Sequence, residues 1–209
     1  MFVDPAQFGL NEDLSTYTPD FLQDEGTVPR RRCCVPLCAG CTGSLSESFR
    51  DLNFGRPRQP LCGAFRPGHF RGVATVVCQL LNMVQPDVLF FGQKDFQQCA
   101  VVRRMAVDLN LPIEIVTVAT VRELDGFAIS SRNRYLGKEE RQRALAFNRG
   151  LFVALDEFRS GERLIAIANG HLETVDRLQY LELVVGDTLN ARRQSNATPR
   201  GALRGDRPG

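Results

Sequence analysis

Two short apolar runs, Val88 to Phe91 and Ile113 to Val118, constrain this chain more than any other feature of its sequence. Both are rich in β-branched and aromatic residues and read as buried strands. Between them Cys99, Val102, Ala106 and Leu109 recur at the three- and four-residue spacing of one helix face. Upstream, Val73, Val76, Val77, Leu80, Leu81 and Val84 repeat that pattern. The order helix, strand, helix, strand is how a parallel sheet with crossover helices is written. The expected fold class is therefore α/β, a parallel sheet with flanking helices. In such sheets ligands bind beyond the carboxyl ends of the strands. Two polar segments fall there: Gly92-Gln93-Lys94-Asp95 after the first run, and Ser130-Ser131-Arg132-Asn133 in the long loop after the second.

The 209 residues suffice for one ordinary domain with a small appendage. No run approaches the roughly 20 apolar residues of a membrane helix, and no signal peptide is legible at the N-terminus. A net charge of +2 singles out no class of partner. Of the 26 basic residues only Lys94 and Lys138 are lysines, so a lysine-poor chain still places one in a strand-end loop. The 7 cysteines are odd in number and come without a secretory signal, which favours a reducing compartment, the cytoplasm. Cys78 and Cys99 lie on the apolar helix faces and read as small core residues.

Residues 26–62 change character, with Cys33, Cys34, Cys38, Cys41 and Cys62 among arginines and prolines and no sustained periodicity. Cys38 and Cys41 form a C-x-x-C pair, but no second pair and no histidine lies in the stretch, so free thiols are preferred to a zinc knuckle. Lys138 to Phe158 reads as an amphipathic helix with Ala144, Phe147, Leu151, Leu155 and Phe158 as its apolar stripe. Residues 161–190 read as a short helix and one alternating strand, Gln179 to Val184, a small α+β appendage. Residues 191–209 are arginine-rich, lack aromatics and read as a disordered tail.

The chemistry of the two strand-end segments is phosphate chemistry. Gly92 lets a ligand approach the backbone closely, and Lys94 supplies a point charge for phosphate. Asp95 can hold a metal–phosphate complex or cap the following helix, and capping is preferred. Of Gln97 and Gln98, one helix face exposes only one to a ligand. Ser130, Ser131 and Arg132 offer two hydroxyls and a guanidinium to nucleotide phosphates. Arg66, His69 and Arg71, in a loop with glycine and proline, could receive an anion, but a solvated surface turn is preferred.

Five stretches together resemble the pantoate–beta-alanine ligase family: FVDPAQFGLNEDL, FRPGHFRGVATVV, LNMVQPDVLFFGQKDFQQ, VVRRMAVDLNLPIEIV and VRELDGFAISSRNRYL. The likeness covers residues 2–20 and 63–160, and weakly 161–190. It implies a Rossmann-like nucleotidyltransferase fold and a two-step reaction. ATP and pantoate give pantoyl adenylate and pyrophosphate; the amine of beta-alanine then displaces AMP to form the amide. ATP is a co-substrate, with Mg2+ implied, and the family is homodimeric. By the same likeness Gly92, Gln93, Lys94 and Asp95 match the ATP-binding loop, Gln93 standing for its usual glutamate. Val121 matches a residue of the adenine pocket. Ile129, Ser130, Ser131 and Arg132 match the mobile phosphate-binding segment, Ile129 standing for methionine. Gln7 and Gln98 match the glutamines that bind pantoate beside the beta-alanine site, and Asp4 stands for asparagine.

The family's Met-Gly-x-Leu-His-x-Gly-His-like segment is not among the 209 residues, whose only histidines are His69 and His171. The catalytic residues are therefore left open and the chain reads as a truncated homologue of impaired activity. The expected organisation is an incomplete nucleotide-binding domain at 1–160, a remnant of a small C-terminal domain at 161–190, and the tail. A shifted reading frame would account for the look of 26–62 and 191–209. Two other functions compete: a nucleotide-binding homologue or dimer partner without turnover, and a nucleic-acid-binding protein. Arginines at 30–32 and 192–193 favour the last, but interleaved aromatics are missing.

Overall fold

A computed structural model describes residues 61–156, 161–172, 178–186 and 189–190. Expectations for Asp4, Gln7, the Cys33–Cys41 cluster, Phe158 and the tail lie outside these residues. After a single helical turn, α1 (Cys62–Phe65), come α2 (His69–Val84), β1 (Val88–Gly92), a 3-10 turn (Gln93–Asp95), α3 (Phe96–Asp108) and β2 (Glu114–Val118). A second 3-10 turn (Ser131–Tyr135), α4 (Lys138–Asp156) and α5 (Gly161–His171) complete the described elements.

The apolar spacing that predicts α2 and α3 is what buries them. Val73, Ala74 and Leu81 of α2 meet Val102 and Met105 of α3, with Leu89, Phe91 and Ile115 of the strands packed beneath. Val102 and Met105 are fully buried, each worth about 1.5–3 kcal/mol of transfer free energy. Gly68 starts α2 in a left-handed conformation, φ 82°, which costs glycine nothing. Gln85 ends it the same way, its N–H donating to the Leu81 carbonyl at 2.8 Å. Arg103 of α3 donates to the Thr117 hydroxyl and Cys99 to the Gly92 carbonyl, tying the crossover helix to both strands.

β1 and β2 pair in parallel, Val88 with Glu114 through to Gly92 with Val118. Side chains alternate across the sheet. Leu89, Phe91 and Ile115 enter the core, while Val88, Phe90 and Val118 face outward and are exposed, Phe90 at 65%. The strands are thus buried on one face rather than both, because the described helices α2 and α3 cover only one side.

α4 and α5 pack on each other through small residues. Ala154 and Ala168 are fully buried, ringed by Leu151, Ile165, Ile167 and Leu181. The buried residues of α4 are Leu145, Gly150 and Ala154; of the expected stripe Leu151 packs beside them, Ala144 and Leu155 are half-buried and Phe147 is exposed. Close approach explains the difference: a Cβ on Gly150 would lie 2.8 Å from the Cβ of His171. A crossing that tight selects for small residues, and larger apolar ones are left at its margin. Among the described residues the alternating segment from Gln179 to Val184 forms no extended strand, only a single bridge position at Val184. Tyr180 stacks on Phe65 at 5.6 Å and Leu181 joins the α4–α5 cluster, so these two side chains pack on helices.

Candidate functional site

The parallel register sets the site. Gly92 and Val118 are the last paired residues, so both strands end level and both following loops leave the same carboxyl edge.

The first loop is short and regular. Gly92 is extended and exposed, and nothing lies within 4 Å of where its Cβ would stand. Backbone there is open to a ligand. Lys94 is exposed in the 3-10 turn, and among the described residues no carboxylate pairs with its ammonium. Asp95 occupies the N-cap position of α3 but its side chain caps nothing. Its backbone, φ −98° and ψ 57°, is off the extended conformation that turns a capping oxygen back onto the helix amides, because the 3-10 turn leads straight into α3. Gln97 is buried and Gln98 half-buried, so only Gln98 stays accessible at this helix start. Cys99 holds the loop from below, donating to the Gly92 carbonyl at 3.4 Å. Burial pushes its thiol up, with Arg103 opposing, so the proton it donates stays in place.

The second loop folds back on itself. Arg122 and Ala128 form an antiparallel bridge, flanked by Glu123 N–H to Phe127 O at 2.8 Å and Ile129 N–H to Val121 O at 3.0 Å. Asp125-Gly126 makes the reversal: Gly126 sits at φ 89°, and Asp125 accepts from the Phe127 amide at 3.0 Å. Val121 and Ile129 are paired across this hairpin and both exposed. Ser130 then starts the 3-10 turn, its hydroxyl accepting from Arg132 N–H at 3.3 Å, with Ser131 and Arg132 exposed behind it.

Two arginines bind the hairpin to α4. Arg141 donates to Glu123 at 2.7 Å and to Asp125 at 2.6 Å, and its guanidinium lies 5.0 Å over the Phe127 ring. Arg122 donates to Asn148 at 2.7 Å and to the Gly126 carbonyl at 3.0 Å, lying 5.2 Å over Phe152. A planar fork is needed to bridge two carboxylates and stack at once. The Arg141 bonds, with the Phe127 amide, hold the Asp125 carboxyl below its ordinary range. Asn133 donates to Glu123 at 3.0 Å and to the Ala128 carbonyl at 3.1 Å.

Gly92, Gln93, Lys94 and Asp95 therefore share one sheet edge with the loop that carries Val121, Ile129, Ser130, Ser131 and Arg132, with Gln98 half a turn into α3. Gln7 lies outside the described residues. The supporting residues Glu123, Asp125, Asn133 and Arg141 are not legible as a set in the sequence. Asp125-Gly126 is a turn signal, but nothing local ties it to an arginine sixteen residues on. Among the described residues no cluster of histidine, cysteine and carboxylate side chains could hold a metal ion, and no helix is long and apolar enough to cross a membrane.

The sequence profile of pantoate–beta-alanine ligase matches residues 1–204, further than the motif stretches reach. Pantothenate synthetase 1 of Bradyrhizobium diazoefficiens is 64% identical over 196 residues, 90% of this chain and 69% of that protein. The crystal structure of pantothenate synthetase from Thermus thermophilus superposes with a TM-score of 0.85 at 38% identity, covering 91% of this chain and 72% of the other. That of pantoate–beta-alanine ligase from Francisella tularensis, complexed with beta-gamma ATP and beta-alanine, gives 0.65 at 28% identity, covering 82% and 66%. The described helices and parallel strands are those of an α/β nucleotidyltransferase-like fold, and the chain belongs to the pantoate–beta-alanine ligase family.

Proposed function

We propose that the carboxyl edge of β1 and β2 is the ATP site of a pantoate–beta-alanine ligase, serving the ATP-dependent joining of pantoate to beta-alanine through pantoyl adenylate. The level ending of the two strands carries this reading, because it gives both phosphate-type segments a common origin. Family membership supplies the reaction. Lys94 neutralises phosphate, helped by the open backbone at Gly92 and the amides at the start of α3. Ser130, Ser131 and Arg132 donate to the phosphates from the other loop. Val121 and Ile129, exposed and paired, present an apolar surface to adenine. Gln98, with Gln7, holds pantoate. Gln93 and Asp95 complete the first loop.

No residue here need bond covalently to substrate. Rate comes from holding the pantoate carboxylate against the α-phosphate and neutralising charge as pyrophosphate leaves. ATP enters with its Mg2+ as substrate, and Asp95 is the carboxylate beside the proposed phosphate position. In this reading residues 1–160 are an incomplete nucleotide-binding unit and 161–190 the remnant of a small second one, with α5 packed on α4 across that boundary. A homodimer and a cytoplasmic location belong to the same reading.

The test is nucleotide titration of the wild type and Lys94→Ala. Loss of a charge-assisted phosphate contact weakens ATP binding by about 1.5–3 kcal/mol. Equal affinities would show that this loop is not the phosphate site.

A further inference from the structure

The Glu123 carboxylate stands where three pieces of the molecule meet, and it uses both oxygens. Oε2 accepts from Arg141 Nη2 at 2.7 Å, in the first turn of α4. Oε1 accepts from Asn133 Nδ2 at 3.0 Å, inside the 3-10 turn. Its own backbone belongs to the hairpin, through Glu123 N–H to Phe127 O. Asn133 extends the chain of contacts toward the serines, since its amide N–H donates to the Ser130 carbonyl at 3.1 Å. Thus a helix, a hairpin and a turn are registered against one another by a single acidic side chain. The Ser130–Arg132 tripeptide is flanked by the Ile129–Val121 bond on one side and Asn133 on the other.

We infer that Glu123 is a positioning residue that sets the Ser130–Arg132 segment for the nucleotide phosphates by acting on it through Asn133; this rests on the nucleotide-site reading above. The role demands an ionised acceptor, not merely a polar group of this size. Both facing groups are N–H donors, and a carboxylate alone offers oxygen to each. In Glu123→Gln the amide nitrogen must face either Arg141 or Asn133, donor against donor. One of the two ties is lost while the volume is kept. The consequence falls on the turn rather than on the core, because Val102, Met105 and the strands lie in a separate cluster.

The experiment titrates ATP and adenosine into the full chain and into Glu123→Gln, Asn133→Ala, the double variant and Arg132→Ala. Misplacing the phosphate segment weakens ATP by about ten-fold in Glu123→Gln, while adenosine, which has no phosphate, changes by less than about two-fold. Asn133→Ala shows the same ATP-selective loss, and the double variant is no worse than the weaker single one, since both remove one contact. Asn133→Ala also keeps the test open if Glu123→Gln folds poorly. A parallel loss of ATP and adenosine would mean general damage and overturn the inference. Arg132→Ala weakened with Glu123→Gln unchanged would overturn the positioning role alone. Arg132→Ala without effect on ATP would overturn the phosphate reading and the inference with it.

Discussion

Replacing Gly150 by alanine sets two effects of known sign against each other. In a helix interior alanine is favoured over glycine by about 0.8–1.0 kcal/mol. Gly150, however, is buried where α4 crosses α5, and a Cβ there would lie 2.8 Å from His171 Cβ and 3.3 Å from the Ala168 carbonyl. Neither neighbour is the tip of a flexible side chain, so relief requires α5 itself to move. Ala154 and Ala168 are fully buried at the same crossing and leave no slack. Overpacking of this kind costs about 1–3 kcal/mol. The repulsion therefore wins, and Gly150→Ala destabilises by up to about 2 kcal/mol. At roughly 2–4 °C per kcal/mol for a chain of this size, Tm falls by as much as about 8 °C. Gly170→Ala is the control: it lies in α5 with nothing within 4 Å of its Cβ, so it gains part of the propensity term and stabilises slightly. Thermal and urea unfolding of the two variants read the difference. A stabilised Gly150→Ala, or equal shifts for the two, would refute the contact argument.

Other consequences are as direct. Because Arg141 holds the Asp125 carboxyl low, that group contributes stability above the ordinary carboxyl range and loses it as pH falls through its depressed value. Carbon-13 NMR of Arg141→Ala should find Asp125 titrating at higher pH than in the wild type; no change would remove Arg141 as the cause. Burial raises the thiols of both Cys78 and Cys99, but Cys99 is closed to reagent while Cys62 and Cys78 are half-buried, so a maleimide should label those two well before it. Mass spectrometry showing Cys99 modified first would contradict the packing of α3 against β1.

What the sequence shows of this fold is what repeats. The α2–β1–α3–β2 order is legible because each element carries its own periodicity, 3.6 or 2, within a short window. The Gly92–Asp95 loop is legible because a rule about strand ends points to it. Where the reading departs from the structure, a distant contact decides. At its crossing with α5, α4 buries Gly150 and Ala154 and keeps Leu151 beside them, because α5 passes too close for a larger residue at position 150. Asp95 is a good capping residue by composition, yet the preceding 3-10 turn sets its backbone away from capping geometry. Glu123 and Arg141 are eighteen residues apart, and their pairing leaves no trace in local spacing. The family motif spans Glu123 and Asn133 as well as Ser130–Arg132, but nothing in it joins them to one another or to Arg141.

The constant offset between the strands has a further consequence, for insertions and deletions. Val88 pairs with Glu114 and Gly92 with Val118, a separation of twenty-six residues at both ends of the ladder (114 − 88 and 118 − 92). One residue inserted within Phe96–Asp108 would turn the remainder of α3 by about 100°, carrying Met105 and Ala106 away from the core they fill. The same residue inserted between Asn110 and Ile113 meets no helix phase and disturbs only the partial packing of Leu111 and Ile113 on that core. Length variation between β1 and β2 should therefore be tolerated in that link and purged from the helix, and a library of single-residue insertions would show one permissive window of a few positions beside a long forbidden one.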